Sequence, residues 1–209
     1  MQSKSDELES LIKGALRTEA DAIAAIPLSN PFVAVTELIH ERCQNNGGKL
    51  ILCGVGKAGS LASELATTFS STGTPATFLH PLEAVHGDVG ILQPKDVLFL
   101  ISNSGETREI LELVPLCKGL VPDLPVICMT GKEGSNLTQL ANIVLFTGAP
   151  KEICPLGMTP TTSTTVMGVM GDILVVLQMA KIGFSHEDYL KRHHGGYLGM
   201  VARSKVLNR

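Results

Sequence analysis

The side chains able to do chemistry in this 209-residue chain are concentrated in a few short stretches, most of them directly after apolar runs. The densest is Ser102-Asn103-Ser104-Gly105-Glu106-Thr107, three hydroxyls, an amide and a carboxylate around a glycine, placed just before a helical stretch. A helix N-terminus leaves its first N–H groups unsatisfied and carries partial positive charge, an attraction for an anion of about 0.3–2 kcal/mol. Ser102, Ser104 and Thr107 add donors for phosphate oxygens, whereas an ordinary cap needs only one such side chain. The segment is read as a phosphate cradle. Gly54-Val55-Gly56-Lys57-Ala58-Gly59 has glycines that let backbone approach a ligand and one cation at a helix start. Its G-x-G-x-x-G spacing suggests a dinucleotide site, but the next apolar run ends Phe78-Leu79-His80 with no acidic residue for a ribose. The alternative is a tight turn, which accounts for the glycines and leaves Lys57 unexplained.

Three further stretches carry titratable groups. His80-Pro81-Leu82-Glu83-Ala84-Val85-His86-Gly87-Asp88 holds two histidines among carboxylates. Its spacing matches no standard zinc pattern, so contacts to substrate hydroxyls come first for His80 and His86, and a regulatory or adventitious zinc at His80 second. Lys151-Glu152-Ile153-Cys154-Pro155-Leu156-Gly157 places a carboxylate where a deprotonating base would be needed, with a solvated surface glutamate as the alternative. In Lys191-Arg192-His193-His194-Gly195-Gly196, either histidine is able to titrate near neutral pH and shuttle protons.

The elements that must position these groups follow from periodicity. Leu8, Leu11, Ile12, Ala15 and Leu16 repeat at helical spacing and predict an amphipathic first helix packed on a neighbour. Asn30-Pro31 reads as an N-cap followed by a first-turn proline, and Asn46-Gly47-Gly48 as the end of a second helix. Five nearly continuous apolar runs follow, at 50–53, 76–79, 97–101, 126–129 and 143–146, as expected of strands buried on both faces. Helical stretches separate them, which predicts a doubly wound parallel α/β sheet, with ligands outside the carboxyl ends of the strands. One domain is expected over 1–209: N-terminal helices over 1–48, a sheet core over 49–182 and a C-terminal arm over 183–209.

Composition narrows the function classes. The net charge is −3 with both signs mixed along the chain, which argues against nucleic-acid binding. Five cysteines without metal-ligand spacing point to reduced thiols in a cytosol. The N-terminus has no apolar signal core, and Val166 to Ala180, interrupted by Asp172, reads as too short to span a bilayer. No membrane association is expected.

Taken together, Gly54-Val55-Gly56-Lys57, Ser71-Thr72-Gly73-Thr74-Pro75, His80-Pro81, His86-Gly87-Asp88, Ser102-Asn103-Ser104-Gly105-Glu106, Lys151-Glu152-Ile153-Cys154-Pro155-Leu156-Gly157 and His193-x-Gly195-Gly196 resemble the sugar isomerase (SIS) domain of D-arabinose-5-phosphate isomerases. The resemblance implies a five-stranded, flavodoxin-like parallel sheet. It also implies interconversion of D-ribulose 5-phosphate and D-arabinose 5-phosphate for 3-deoxy-D-manno-octulosonate and lipopolysaccharide synthesis. Carried over by position, Lys57, Glu109, Glu152 and His193 are catalytic, with Glu152 as enediol base and Lys57 stabilising the enediolate. Substrate contacts fall on Gly56, Gly73, Thr74, His80, His86, Ser102, Asn103, Ser104, Glu106 and Thr107. Glu106 and Glu109, three residues apart, are expected on one side of the phosphate loop. No cofactor is required, zinc is not essential, and a homotetramer with shared active sites is implied. Two positions depart from the family pattern, Ala58 in place of a serine and His194 in place of a proline. Longer members continue into paired CBS modules, so a SIS domain alone is expected, with feedback by a nucleotide sugar acting at the sugar-phosphate site. A sensor that binds without reacting, or an isomerase of another ketose phosphate, is the alternative.

Overall fold

A computed structural model describes residues 4–207 of the chain. Its centre is a sheet of five parallel strands, β1 (Leu50–Gly54), β2 (Ala76–Phe78), β3 (Val97–Ile101), β4 (Val126–Thr130) and β5 (Ile143–Phe146), in the order β2-β1-β3-β4-β5. β1, β3 and β4 are buried along their whole length. This is why they read as unbroken apolar runs rather than alternating ones.

Alternate residues serve opposite faces. Leu50, Leu52, Val97, Phe99, Ile127 and Leu145 join one core with α2 (Phe32–Ile39), α3 (Gly56–Ser71) and α7 (Thr162–Ile182). Ile51, Cys53, Leu98, Leu100, Val126 and Cys128 join the other with α5 (Arg108–Leu120), α4 (Pro81–Ala84) and α6 (Asn136–Leu140). Phe99 is fully buried at the sheet centre; truncating such a side chain to alanine costs about 3–5 kcal/mol. The chain steps outward from β1 to β2 and returns to β3 on the other side of β1. Loops leaving β1 and β3 therefore diverge, and the crevice between them is where this class of sheet binds ligands.

Several local expectations are revised. Asn30 does not cap α2. Its side chain pairs with the backbone of Phe146, accepting from N–H at 2.7 Å and donating to the carbonyl at 2.8 Å, so it extends the hydrogen bonding of the edge strand β5. Pro31 stands at the cap position without a side-chain bond. The second helix continues through a π-helical turn over His40–Asn45 before Asn46 and Gly47 end it. Between β2 and β3 the chain makes only α4 and a 3₁₀ turn over Asp88–Ile91.

The C-terminal helix of the sheet core is longer than Val166 to Ala180, because Thr162 to Thr165 form its first turn. At 21 residues α7 has the length and apolar content to cross a bilayer. In the fold it is a core helix, with Val166, Met167, Met170, Leu174 and Val175 packed against α3 and the sheet. Gly183 ends it in the left-handed conformation, φ 65°, and α8 (His186–Arg192) and α9 (Gly196–Leu207) follow as an arm. α1 (Lys4–Ala24) rests on the core cluster through Ala22 and Ile23. Its Leu8, Leu11, Ile12 and Leu16 remain 55–67% exposed.

Candidate functional site

Three helix N-termini converge on one cleft of about 260 Å³ at the carboxyl end of the sheet. α3 contributes Lys57 and Ala58, the loop into α5 contributes Ser102, Asn103, Ser104 and Thr107, and α7 contributes Ser163 and Thr164. The α3 and α5 termini bring unsatisfied N–H groups and partial positive charge, so the cleft favours an anion before any side chain is counted, whereas N–H groups at the start of α7 are taken by the Glu152 carboxylate. Val55, Ile101, Pro160 and Met167 form its apolar lining.

The glycines of the first loop have packing reasons. A Cβ at Gly54 would lie 2.7 Å from the carbonyl of Ala58, and one at Gly59 2.7 Å from the Gly54 oxygen. Gly56 adopts φ +61° to turn the strand into α3. The turn reading thus accounts for the glycine spacing, while Lys57 is exposed and lines the cleft.

The loop after β3 is braced by its own polar atoms. Ser102, 2% exposed, shares a hydrogen bond with the Thr107 hydroxyl at 2.8 Å and accepts from Gly105 N–H at 3.2 Å. Ser104 Oγ accepts from Glu106 N–H at 3.1 Å. Gly105 has φ +62°, and a Cβ there would lie 2.1 Å from Ser135 Oγ. Glu106 accepts from Lys132 Nζ at 3.1 Å and from the Asn136 side chain at 2.6 Å. The Lys132 bond above all holds the Glu106 carboxyl below its usual pKa. Glu106 precedes Thr107, the N-cap of α5, so the helical spacing expected to pair it with Glu109 does not apply. Glu106 ties the β3 loop to the β4 loop, and Glu109 lies in the first turn of α5.

Glu152 is fastened to the start of α7. Its Oε2 accepts from Thr161 N–H at 2.7 Å, from Thr161 Oγ1 at 2.9 Å and from Ser163 N–H at 3.2 Å. Thr161, the N-cap of α7, makes no side-chain cap bond to its own helix, so Glu152 does this from the neighbouring loop. Burial pushes the Glu152 pKa up, but hydrogen bonds from Ser163 and Thr161 outweigh it and leave the carboxyl below 4.5. Two residues on, hydrogen bonds from the Thr159 side chain and the Met158, Thr159 and Leu156 N–H groups draw the Cys154 thiol down to about 6.

The other candidates lie apart from this cleft. His80 caps α4, its Nδ1 accepting from Leu82 N–H at 3.3 Å, and with Gly87 and Asp88 it lines a neighbouring depression beyond β2. His86 is exposed. Among the described residues, no three His, Cys, Asp or Glu side chains gather closely enough to hold a metal ion. Gly73 and Thr74 precede β2, at the amino end of the sheet, and Thr74 is fully buried. A Cβ at Gly73 would sit 3.0 Å from Ile182 and Phe184, so this pair serves the fold beneath the C-terminal arm rather than the cleft. His193 ends α8, with its ring stacked on Tyr189 at 3.8 Å and its Nδ1 3.1 Å from the Tyr189 carbonyl. It does not line the cleft of its own chain.

Residues 45–177 match the model of the SIS domain. The chain belongs to the SIS family. The SIS chain is 46% identical over 162 residues to arabinose 5-phosphate isomerase KdsD of Salmonella typhi, a match covering 78% of this chain and 49% of that protein. It thus spans about half the length of the curated relatives it matches. Among solved structures it resembles a Bacteroides fragilis NCTC 9343 protein described as a phosphosugar isomerase involved in capsule formation. That match has TM-score 0.89 and 53% identity, over 91% of this chain and 99% of that one. It also resembles an Escherichia coli CFT073 protein in complex with arabinose 5-phosphate, with TM-score 0.79 and 36% identity over 90% and 97% of the two chains.

For this SIS chain, reading the sequence strand end by strand end finds the loops after β1 and β3 but misses the α7 side of the cleft. The signal is nevertheless present. Thr159-Pro160-Thr161-Thr162-Ser163-Thr164-Thr165 is as rich in hydroxyls as the β3 loop and also precedes an apolar helix. Lys132 and Asn136, the partners of Glu106, carry no comparable pattern.

Proposed function

We propose that the chain interconverts D-arabinose 5-phosphate and D-ribulose 5-phosphate through an enediol. The convergence of three helix N-termini, Lys57 and the β3-loop hydroxyls on one cleft, with Glu152 fastened at its edge, carries this reading. The naming of the KdsD relatives and the arabinose 5-phosphate complex of the Escherichia coli neighbour support this choice of substrate.

Phosphate belongs at the α5 N-terminus and its hydroxyl-rich loop, since the start of α7 already holds the Glu152 carboxylate, and this fixes the carbon chain relative to Lys57 and Glu152. Starting from the aldose, a base removes the proton on C2, the C–H electrons form the C1–C2 double bond, and O1 takes a proton as the carbonyl opens. Returning a proton to C1 while O2 loses one completes the ketose, so nothing is oxidised overall and no redox cofactor is needed. Glu152 is the base, Lys57 stabilises negative charge on the enediolate, and Glu109 orients one of them. His193 serves the oxygens and ring opening from a neighbouring subunit, within a homotetramer of shared sites. The exposed apolar face of α1 and the arm formed by α8 and α9 support that assembly, since each offers surface that the chain itself does not cover.

A cytoplasmic location, a product used for surface polysaccharide, and feedback by a nucleotide-activated acid sugar at the same cleft belong to this reading. Zinc at His80 is not part of the proton route. The test is a coupled assay of the purified chain with ribulose 5-phosphate, arabinose 5-phosphate, and hexulose and heptulose phosphates. Turnover of the pentose pair above the others is expected. Tight sugar-phosphate binding without turnover would make the chain a sensor, and preference for a longer ketose would reassign the substrate.

A further inference from the structure

We propose that Glu19 is a positioning residue for Glu152, acting through the hydroxyl of Thr162. Its kinetic consequence rests on the isomerase reading above, whereas its structural consequence rests on geometry alone. Glu19 lies on α1, far from the cleft in sequence, and its Oε1 accepts a hydrogen bond from Thr162 Oγ1 at 3.1 Å. Thr162 Oγ1 in turn accepts from the N–H of Ile153 at 3.2 Å, a bond shared with Thr161 Oγ1 at the same distance. Ile153 directly follows Glu152, whose own carboxylate is held by Thr161 and Ser163. The 152–153 peptide is thus gripped at two successive residues by one turn, and Glu19 reaches that turn from outside.

A threonine hydroxyl has one proton and two lone pairs. With the proton committed to Glu19, the lone pairs are left to face Ile153, and the rotor has one orientation instead of several. Thr162 is fully buried, so in the intact chain its hydroxyl proton goes to Glu19 and not to solvent. The second oxygen of Glu19, Oε2, is also buried and has no hydrogen-bond partner in the chain. Leaving a buried acceptor unsatisfied opposes stability. Stability alone therefore does not explain a glutamate here. What a carboxylate adds over a hydroxyl or amide is that, when ionised, it only accepts, which forces the direction of the Thr162 bond.

The experiment pairs hydrogen exchange with kinetics. In E19A, exchange in the segment 150–163 should rise while that of the β3 loop stays unchanged. On the isomerase reading, kcat should fall on the order of ten- to hundredfold through misplacement of the base, with KM within about twofold because the phosphate anchor is untouched. T162V should match E19A and the double variant should be no worse, as for two members of one chain of contacts. E19Q keeps an acceptor oxygen but adds an NH2 group able to reverse the Thr162 bond, so it should recover only part of kcat, and full recovery would overturn the role given to the carboxylate. Unchanged exchange at 150–163 in E19A overturns the proposal, whatever the activity. A loss expressed only in KM, or additive losses in the double variant, also overturns it. A wild-type chain that isomerises no pentose phosphate would instead sink the functional reading, and the exchange measurement would still decide whether Glu19 holds the loop.

Discussion

Two loops border the same cleft and are built in opposite ways. The loop leaving β3 closes its polar groups on itself and on the next loop: Ser102 with Thr107, Ser104 with the Glu106 N–H, and Glu106 with Lys132 and Asn136. The loop leaving β5 carries positive φ at Gly148, Ala149 and Gly157, leaves Leu156 and Met158 78% and 79% exposed, and is fastened by Glu152 to the start of α7. A site that holds a constant group and transforms a variable one needs both kinds of wall. Phosphate wants preorganised donors that lose no freedom on binding. On the isomerase reading, the reacting carbons want a base on a segment that a few bonds are able to adjust.

The sharpest way to break this comparison is Glu152→Gln, which is nearly isosteric but cannot take a proton from carbon. Loss of a general base costs roughly 10²–10⁴ in rate. Turnover and exchange of the substrate C–H proton with solvent should disappear together, while sugar-phosphate binding persists. Near-normal exchange in the variant would move the base elsewhere. The pH dependence has a definite sign. Because the Glu152 carboxyl is held below 4.5 in the folded chain, its stabilising bonds are present above that value and are lost as pH falls through the lowered one. An acid limb of activity due to Glu152 is therefore expected at lower pH than for an ordinary carboxylate.

Next in size is Gly105→Ala. The position needs φ +62°, and the added Cβ would lie 2.1 Å from Ser135 Oγ, so strain and overpacking act together. A loss of about 2–4 kcal/mol is expected from the two effects. Gly157→Ala, at φ +61° with nothing within 4 Å, should cost only the backbone strain, about 1–2 kcal/mol. Urea unfolding of the two variants measures the difference, and equal losses would show that the two loops are equally constrained.

What the sequence discloses follows the same division. Strands, helix periodicity and the β3 loop are legible because burial on both faces and a hydroxyl-rich turn leave local patterns. Asn30 reads locally as a cap because its true partner, Phe146, lies 116 residues away. Glu106 is misplaced by local reading for a related reason, since an i,i+3 rule holds only inside a helix and its partners Lys132 and Asn136 come from another loop. Gly73 and Thr74 sit in a motif-like segment, yet the direction of β2 puts them at the amino end of the sheet. Long-range partners and strand direction are tertiary facts, and a single sequence carries no local trace of them.

A smaller effect is expected of Lys132→Ala. The lysine is 58% exposed, and an exposed pair contributes little, so the unfolding midpoint should barely move. Hydrogen exchange within 102–107 should nevertheless rise, since Glu106 loses the bond that ties its loop to the next. No change in exchange would mean that Asn136 suffices and that the bracing lies within the β3 loop itself.

The subtlest test changes no contact of the fold. Cys43, Cys53, Cys117 and Cys128 are buried, and burial lifts their thiols well above 9, to about 12 for Cys43 and Cys128 and about 11 for Cys117. Cys154, on the β5 loop, is drawn the other way, to about 6, by donors from Thr159, Met158 and Leu156. The thiolate is the nucleophile, so its fraction and its access set the alkylation rate. Iodoacetamide at pH 7 should therefore label Cys154 alone, with a rate that falls as pH drops through about 6, and the other four should react only after unfolding. The depressed value also means that ionised Cys154 favours the folded loop, a contribution complete above 9.0 and lost as pH falls through about 6. If substrate orders this loop, a saturating sugar phosphate should slow the labelling of Cys154 and leave the buried thiols as they were. Labelling that is slow at pH 7, or that shows the pH dependence of an ordinary thiol, would show that the donors around Cys154 are not held in place. The contrast between a braced loop and an adjustable one would then have to be drawn still more sharply.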